Sequence, residues 1–354
     1  MEPIERSTTS FGWALLGPGS IARKFAQAVQ GVEGAHVEAV WGRNPARSAS
    51  FVHDLGLSPA LACTDLAALL GKASVQGVYI ATTHPAHADL VRQALAAGKP
   101  VVCEKPMTTS HRDTADLVEL SRARGVFLME ALWTRFLPVY QGIARWLGAG
   151  RIGRLRSVSS SFCFPAPYDP HSRLFDPLAA GGTLLDIGIY NVALTRWAIA
   201  TAHGQMPALT RRQVSSALAP TGVDLQVSAL LDYADGTTAQ FVCAFDRLAD
   251  NGLSLHGSQG CIEVPTNFWE AECAVLKRPG EADEWLRLPH AVNGFEYQII
   301  EAMRCIAAGA VESPLMPHRE SLEIARELDQ LLASAGVQPA PRPRPAAAAA
   351  GVER

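Results

Sequence analysis

Three side chains in this sequence can be read as a proton-transfer set. Lys105 closes a short apolar run, Val101-Val102-Cys103-Glu104, which follows Gly98-Lys99-Pro100 and is halted by Pro106. Such a run suits a brief buried strand of a parallel sheet, and open α/β sheets bind ligands at the carboxyl ends of their strands. A lysine delivered there reaches into the crevice, polarises a substrate oxygen and lowers the pKa of a neighbouring acid. The plain alternative is a solvated lysine at a strand end. Further along, the stretch from Gly181-Gly182-Thr183 through Asp186 to Tyr190 supplies two glycines that admit close approach. It also spaces Asp186 and Tyr190 so that they share a face if the segment is helical. A free tyrosine has a pKa of about 10 and is a poor base at neutral pH, but a cation beside it stabilises the phenolate. Lys105 and Tyr190 then form a proton-transfer pair, with Asp186 orienting it or the substrate. The same spacing also fits a core tyrosine whose hydroxyl is satisfied by Asp186.

A second set points to a dinucleotide. Gly17, Gly19 and Ala22 form G-x-G-x-x-A directly after the apolar run Trp13 to Leu16 and at the start of a helical pattern. In that context the glycines let backbone N–H groups of the first turn, at Ser20 and Ile21, approach a pyrophosphate; a tight strand-to-helix turn is the alternative. The next strand ends Ala39-Val40-Trp41-Gly42-Arg43-Asn44, with no acid to hold ribose hydroxyls and with an arginine in reach of a 2′-phosphate. NADP is therefore expected over NAD, unless Arg43 is only a solvated loop charge. Thr82, His84 and His87 leave the third strand at the same edge and are placed near the nicotinamide ribose, together with Glu104 and Lys105. His87 stands equally as a helix-start histidine.

The elements that must position these residues follow from periodicity. From residue 11 to 130 strand-like and helix-like stretches alternate, the signature of a parallel sheet. From 131 to 335 the pattern changes to hairpins, among them Gln226–Tyr233 turning through Asp235-Gly236 into Thr238–Phe245, which describes an α+β domain with a predominantly antiparallel sheet. Residues 1–10 are read as an extension. Residues 336–354, with Pro-Arg-Pro-Arg-Pro and five alanines, are read as a disordered tail. A chain of 354 residues, 48% hydrophobic and 18% charged, is an ordinary two-domain globular protein on these priors. Its net charge of −3 offers no footprint for nucleic acid or an anionic membrane. Seven scattered cysteines without zinc-ligand spacing predict reduced thiols, no metal site and a cytoplasmic setting. The N-terminus lacks an export pattern, and no run is expected to reach the length of a membrane span.

The G-x-G-x-x-A start, Glu104-Lys105-Pro106 and the Gly181-Gly182…Asp186…Tyr190 stretch together resemble the glucose–fructose oxidoreductase/inositol dehydrogenase family, Gfo/Idh/MocA. Within it, His84-Pro85, the run from Leu128 to Phe136 and Arg173-Leu174-Phe175-Asp176-Pro177 resemble the branch of dihydrodiol dehydrogenases and NADP-dependent xylose dehydrogenases. The resemblance extends from Phe11 to about Leu332. It implies an α/β Rossmann domain, then an α+β domain with a large, open, predominantly antiparallel sheet whose exposed face pairs subunits into a homodimer or larger oligomer. It also implies a Lys105/Tyr190 catalytic pair with Asp186 beside it. Tyr190, where inositol dehydrogenase-like members have His, sides with the sugar and dihydrodiol branch.

The expected activity is NADP-dependent hydride exchange with a CH–OH group of a small cyclic polyol, an aldopyranose or a trans-dihydrodiol. Trp133, Arg135, Phe136, Phe162 and Tyr168 are expected around the substrate, with Lys105 lowering the pKa of Tyr190. Two rivals are a non-catalytic dinucleotide-sensing regulator, which has no need of Lys105, Asp186 and Tyr190 together, and a glycosidase using a bound nicotinamide in a transient redox cycle.

Overall fold

The computed structural model describes residues 10–338. Residues 1–9 and 339–354, most of the expected extension and tail, lie outside the described residues.

The first sheet is built from β1 (Phe11–Leu16), β2 (Ala35–Trp41), β3 (Ala62–Cys63), β4 (Gly77–Ile80), β5 (Val101–Glu104) and β6 (Leu128–Ala131), all parallel in the order β3-β2-β1-β4-β5-β6. The crossings are α1 (Ser20–Gln30), α2 (Pro45–Asp54), α3 (Leu66–Gly71), α4 (His87–Ala96) and α5 (His111–Arg124). Strands β1, β4, β5 and β6 are buried along their whole length, which is why they read as largely apolar runs, with Glu104 and Glu130 the buried acids among them. The order reverses between β1 and β4, and the crevice at that switch point, outside the carboxyl ends of the strands, is where such sheets take ligands. Helix α3 is capped by Asp65, whose side chain accepts from the Ala68 amide.

After α6 (Pro138–Gly148) comes the second sheet: β7 (Leu155–Cys163), then α7 (Ile189–His203), β8 (Leu209–Leu218), β9 (Asp224–Tyr233), β10 (Thr238–Ala244), β11 (Leu253–Gly257), β12 (Cys261–Val264), β13 (Cys273–Lys277) and β14 (Glu284–Arg287). Their order is β14-β13-β12-β11-β7-β10-β9-β8. Every pair is antiparallel except β7 with β10. Helix α7 covers one face, over Val158 and Phe162; the other carries Ser159, Ser161, Ser228 and Gln240 and is left open among the described residues. Helices α8 (Glu296–Ala307) and α9 (His318–Ser334) return to the first domain, packing on α1 and α5.

One expectation is corrected here. The stretch Pro177–His203, a 3₁₀ turn, the Gly181-Gly182 break and the π-helical turn that runs into α7, is long and apolar enough to cross a membrane by length and composition. Its most apolar window is 83% buried inside the protein, so it is the core helix between the second sheet and α9.

Candidate active site

The cradle for a dinucleotide forms where β1 passes into α1. Gly17 sits at φ +99°, and a Cβ there would lie 2.8 Å from both the Ala81 carbonyl and the Thr82 side chain, so the turn packs directly on the end of β4. Gly19 precedes the first turn of α1, nothing stands within 4 Å of where its Cβ would be, and no side chain caps the helix. No acidic residue occupies that first turn, so the N–H groups of Ser20 and Ile21 face an open, positively polarised space. Ala22 is buried against the sheet. Arg43 follows β2 and is exposed, beside the same loop.

Lys105, Asp186 and Tyr190 come from three elements and meet in the crevice. Lys105 leaves β5. Asp186 lies on a single π-helical turn, Leu184–Gly188, which runs into α7 and Tyr190; such turns are uncommon and concentrate at functional sites. The Lys105 ammonium donates to the Asp186 main-chain carbonyl and approaches its Oδ1 at 3.4 Å. It lies 5.2 Å from the centre of the Tyr190 ring. Arg173 donates to the same Asp186 oxygen at 3.0 Å. Burial alone would raise the Asp186 carboxyl, but Lys105 and Arg173 together hold it well below the usual carboxylate range.

The tyrosine behaves differently from expectation. Its hydroxyl accepts from the Trp133 indole at 3.1 Å. Burial, and after it the charge of Glu104, push the phenol above its ordinary value, and the Trp133 bond only partly opposes this. Lys105 is spent on Asp186 and does not bring the phenol down. Tyr190 therefore keeps its proton through the neutral range.

Behind the lysine stands a buried acid. Glu104 accepts from the Tyr79 hydroxyl at 2.5 Å and from the Lys105 amide at 3.3 Å. Burial pushes it up to about 7, against the Tyr79 bond and the Lys105 charge. His84 Nδ1 donates across the crevice to the Ala180 carbonyl at 3.3 Å, and burial, then the charge of Lys105, pushes its imidazole down to about 3.

An aromatic wall flanks Tyr190. Phe162 stacks on Trp269 at 3.5 Å and 5° and has its ring centre 5.8 Å from Tyr190. Trp133 packs on Phe295 at 4.7 Å. The turn bearing Trp269 is pinned by Thr134, which donates to the Trp269 carbonyl at 2.6 Å, and by Tyr140, which donates to the Phe268 carbonyl at 2.6 Å.

Residues 11–132 match the family model described as an oxidoreductase family with an NAD-binding Rossmann fold, and residues 140–263 match the GFO/IDH/MocA C-terminal domain. The chain belongs to the Gfo/Idh/MocA oxidoreductase family. Trans-1,2-dihydrobenzene-1,2-diol dehydrogenase of Homo sapiens is 31% identical over 332 residues, covering 92% of this chain and 97% of that one. The Sus scrofa enzyme of the same name is 32% identical over 340 residues, with the same coverage. Among solved structures, a 3-ketoreductase from Actinomadura kijaniata in complex with NADP and TDP-benzene aligns with TM-score 0.77 at 26% identity, over 92% of this chain and 98% of that one. Aldose–aldose oxidoreductase from Caulobacter crescentus shares the fold, with TM-score 0.82 at 22% identity and the same coverage.

Within this Gfo/Idh/MocA chain several expected site residues turn elsewhere. Arg135 is buried and points away from Tyr190 to Glu320 at 3.5 Å and the Met316 sulfur at 3.5 Å; a 3₁₀ turn, Trp133–Phe136, sends neighbouring side chains to opposite sides. Phe136 is plain core. Tyr168 is half exposed and packs edge-on against Phe175 at 5.1 Å, not on Tyr190. His87 is wholly buried, with its ring nitrogens 2.9 Å from the Pro106 carbonyl and 3.1 Å from that of Thr82. It braces the turn after Lys105 and presents no atom to a cofactor. Glu104 likewise spends its carboxylate inward. Trp269, Phe295, Tyr79 and the role of Arg173 were not anticipated. Arg173 stood in a quoted motif, whereas Trp269 lies in a short turn with no periodic signal.

Proposed function

We propose that this protein is an NADP-dependent oxidoreductase acting on a CH–OH group, or the corresponding carbonyl, of a small cyclic polyol. The observation that carries the reading is the convergence of Lys105, Asp186 and Tyr190, from both domains, at the carboxyl edge of the parallel sheet and against an aromatic wall. The first turn of α1 fits a pyrophosphate, and exposed Arg43 in place of an acid after β2 fits a 2′-phosphate. When bound, the nicotinamide supplies the redox partner for the substrate carbon.

The protein's own part is proton handling and orientation. Tyr190, held by Trp133, gives its phenol proton to the substrate oxygen during carbonyl reduction, and in alcohol oxidation its phenolate takes the hydroxyl proton back. Lys105, fixed by Asp186, places positive charge beside that oxygen. The stacked Phe162–Trp269 pair offers a flat apolar face to a ring, and Arg173 lies at the mouth of the crevice. The dihydrodiol dehydrogenases, alike over 92% of the chain, support a vicinal ring diol as substrate class; the NADP-bound 3-ketoreductase supports the cofactor. We further propose a homodimer through the bare face of the second sheet.

The deciding experiment follows NADPH formation with a panel of pyranoses and cyclic trans-diols, and NADPH consumption with their ketones. Turnover with at least one ring diol or lactol is expected. Absence of turnover with every member, in a protein that binds NADPH, would remove the reading in favour of the sensing regulator.

A further inference from the structure

The segment that carries Asp186 and Tyr190 has no cap of its own. Thr183, which precedes the π-helical turn, already has helical backbone angles, and its side chain makes no capping bond to the turn. The N–H groups that open the turn must find acceptors elsewhere. Asp224, the first residue of β9 and fully buried, supplies one from the sheet. Its Oδ2 accepts from the Leu184 amide at 2.6 Å and from the Thr183 hydroxyl at 2.7 Å. That hydroxyl in turn accepts from Cys243 at 3.5 Å.

The second oxygen, Oδ1, is buried without a hydrogen-bond partner. It lies against Gly182, where φ is +111° and where a Cβ would collide with it. Burial pushes the Asp224 carboxyl up to about 6, against the Thr183 and Leu184 bonds. A half-satisfied carboxyl in the core is costly to keep, and what it holds is the start of the catalytic segment.

We propose that Asp224 is a positioning residue for the reaction: from the sheet it fixes Thr183 and Leu184, and so the rotation of the turn that presents Asp186 to Lys105 and Tyr190 to the crevice. The proposal rests on the oxidoreductase reading above. Asp224 acts through Thr183 and Leu184 alone. A turn released from it keeps its place in the core, because α7 is buried on the sheet, but loses the setting of its first residues. Misplacement of reacting groups by about 1 Å costs on the order of 10² in rate, so even a partial loss of the anchor reads out in kcat.

Thr183→Val tests this at nearly constant volume, removing the hydroxyl that Asp224 holds, and Thr183→Ser restores it. In Thr183→Val, kcat is expected to fall about tenfold or more, while KM for NADP and NADPH binding by fluorescence stay within roughly twofold. Amide exchange over residues 184–190 should accelerate in the same variant, and Thr183→Ser should return both readouts toward the parent. Asp224→Asn keeps an acceptor for the Leu184 amide and should fall between the two. Unchanged kcat in folded Thr183→Val overturns the proposal, as does a loss that Thr183→Ser fails to restore or one that takes NADPH binding with it. If the parent protein turns over no polyol, the functional reading falls separately. The exchange measurement then decides alone, with unaltered protection of 184–190 in Thr183→Val rejecting the anchor.

Discussion

In the proposed reaction Tyr190 and Lys105 divide work that a single group would do badly. With its phenol raised by burial and Glu104, Tyr190 holds a proton at neutral pH, and Lys105 supplies charge without sharing the hydroxyl. Tyr190→Phe keeps the ring against Phe162 and should keep fold and NADPH binding, but kcat should drop by roughly 10² to 10⁴. Lys105→Ala should lose a similar amount, with the double variant little worse; full activity in Tyr190→Phe would make the tyrosine a core residue. Glu104 gives a pH signature. When it ionises near 7 its charge raises the phenol further and weakens it as an acid, so the rate of carbonyl reduction should fall as pH rises through about 7. Tyr79 donates to the charged form, so in Tyr79→Phe that fall should move to higher pH; an unshifted profile would exclude Glu104. Arg43→Asp should move cofactor preference from NADP toward NAD, read as the ratio of kcat/KM values, and equal values in the parent would reject the assignment. The Lys105–Tyr190 cluster was legible because its residue types are rare at a strand end and after paired glycines. The direction of the tyrosine shift was not, because it depends on which neighbour holds the lysine, and Asp186 claims it through a main-chain carbonyl that no spacing reveals.

Elements were legible where one face or both are consistently buried. Strands β1, β4 and β5 announced themselves as apolar runs, and the β9–β10 hairpin by alternation around Asp235-Gly236. Strands β8 and β14 did not: Leu-Thr-Arg-Arg-Gln-Val-Ser-Ser-Ala-Leu is polar on most positions because an edge strand covers little, and β14 is only Glu284–Arg287. The same blindness misplaced Arg135, since which side of the Trp133–Phe136 turn meets the pocket is set by α9, far away in sequence. Arg135 and Arg196 share Glu320, at 3.5 and 3.4 Å, and Arg196 also meets Glu327 at 3.7 Å. This buried network ties the turn to α7 and α9. Removing one partner of such a pair costs about 3–5 kcal/mol when the other is left bare. Arg196 still serves Glu320, so Arg135→Met should lose about 3 kcal/mol or less, measured by chemical denaturation, with KM for substrate unchanged. A raised KM at unaltered stability would return Arg135 to the pocket.

The two domains meet at the crevice, so the molecule works only as a whole: the Rossmann half supplies Lys105 and the cradle, the second half Asp186, Tyr190 and the wall, and α8 and α9 strap them together. That leaves the far side of the eight-stranded sheet without a task in the reaction. It is wide, and it was anticipated as a face to be covered, yet its centre is hydroxyl- and amide-rich, with Ser159, Ser161, Ser228 and Gln240 on neighbouring strands and Leu230 and Val242 among them. Small side chains of this kind allow a second sheet to approach closely and exchange hydrogen bonds, whereas a greasy face would invite aggregation. The covering partner expected is a second copy, related by a two-fold axis that sets the same strands against each other. Light scattering at micromolar concentration should give the mass of a dimer or a multiple of it. Ser159→Arg with Ser228→Arg puts bulk and like charge at the centre of that contact and should yield a monomer. Because Val158 and Phe162 alternate with these serines and face α7, the monomer should keep kcat within about twofold, losing association alone. A parent protein that is already monomeric, or a double variant that remains dimeric, would show that the pairing surface lies elsewhere.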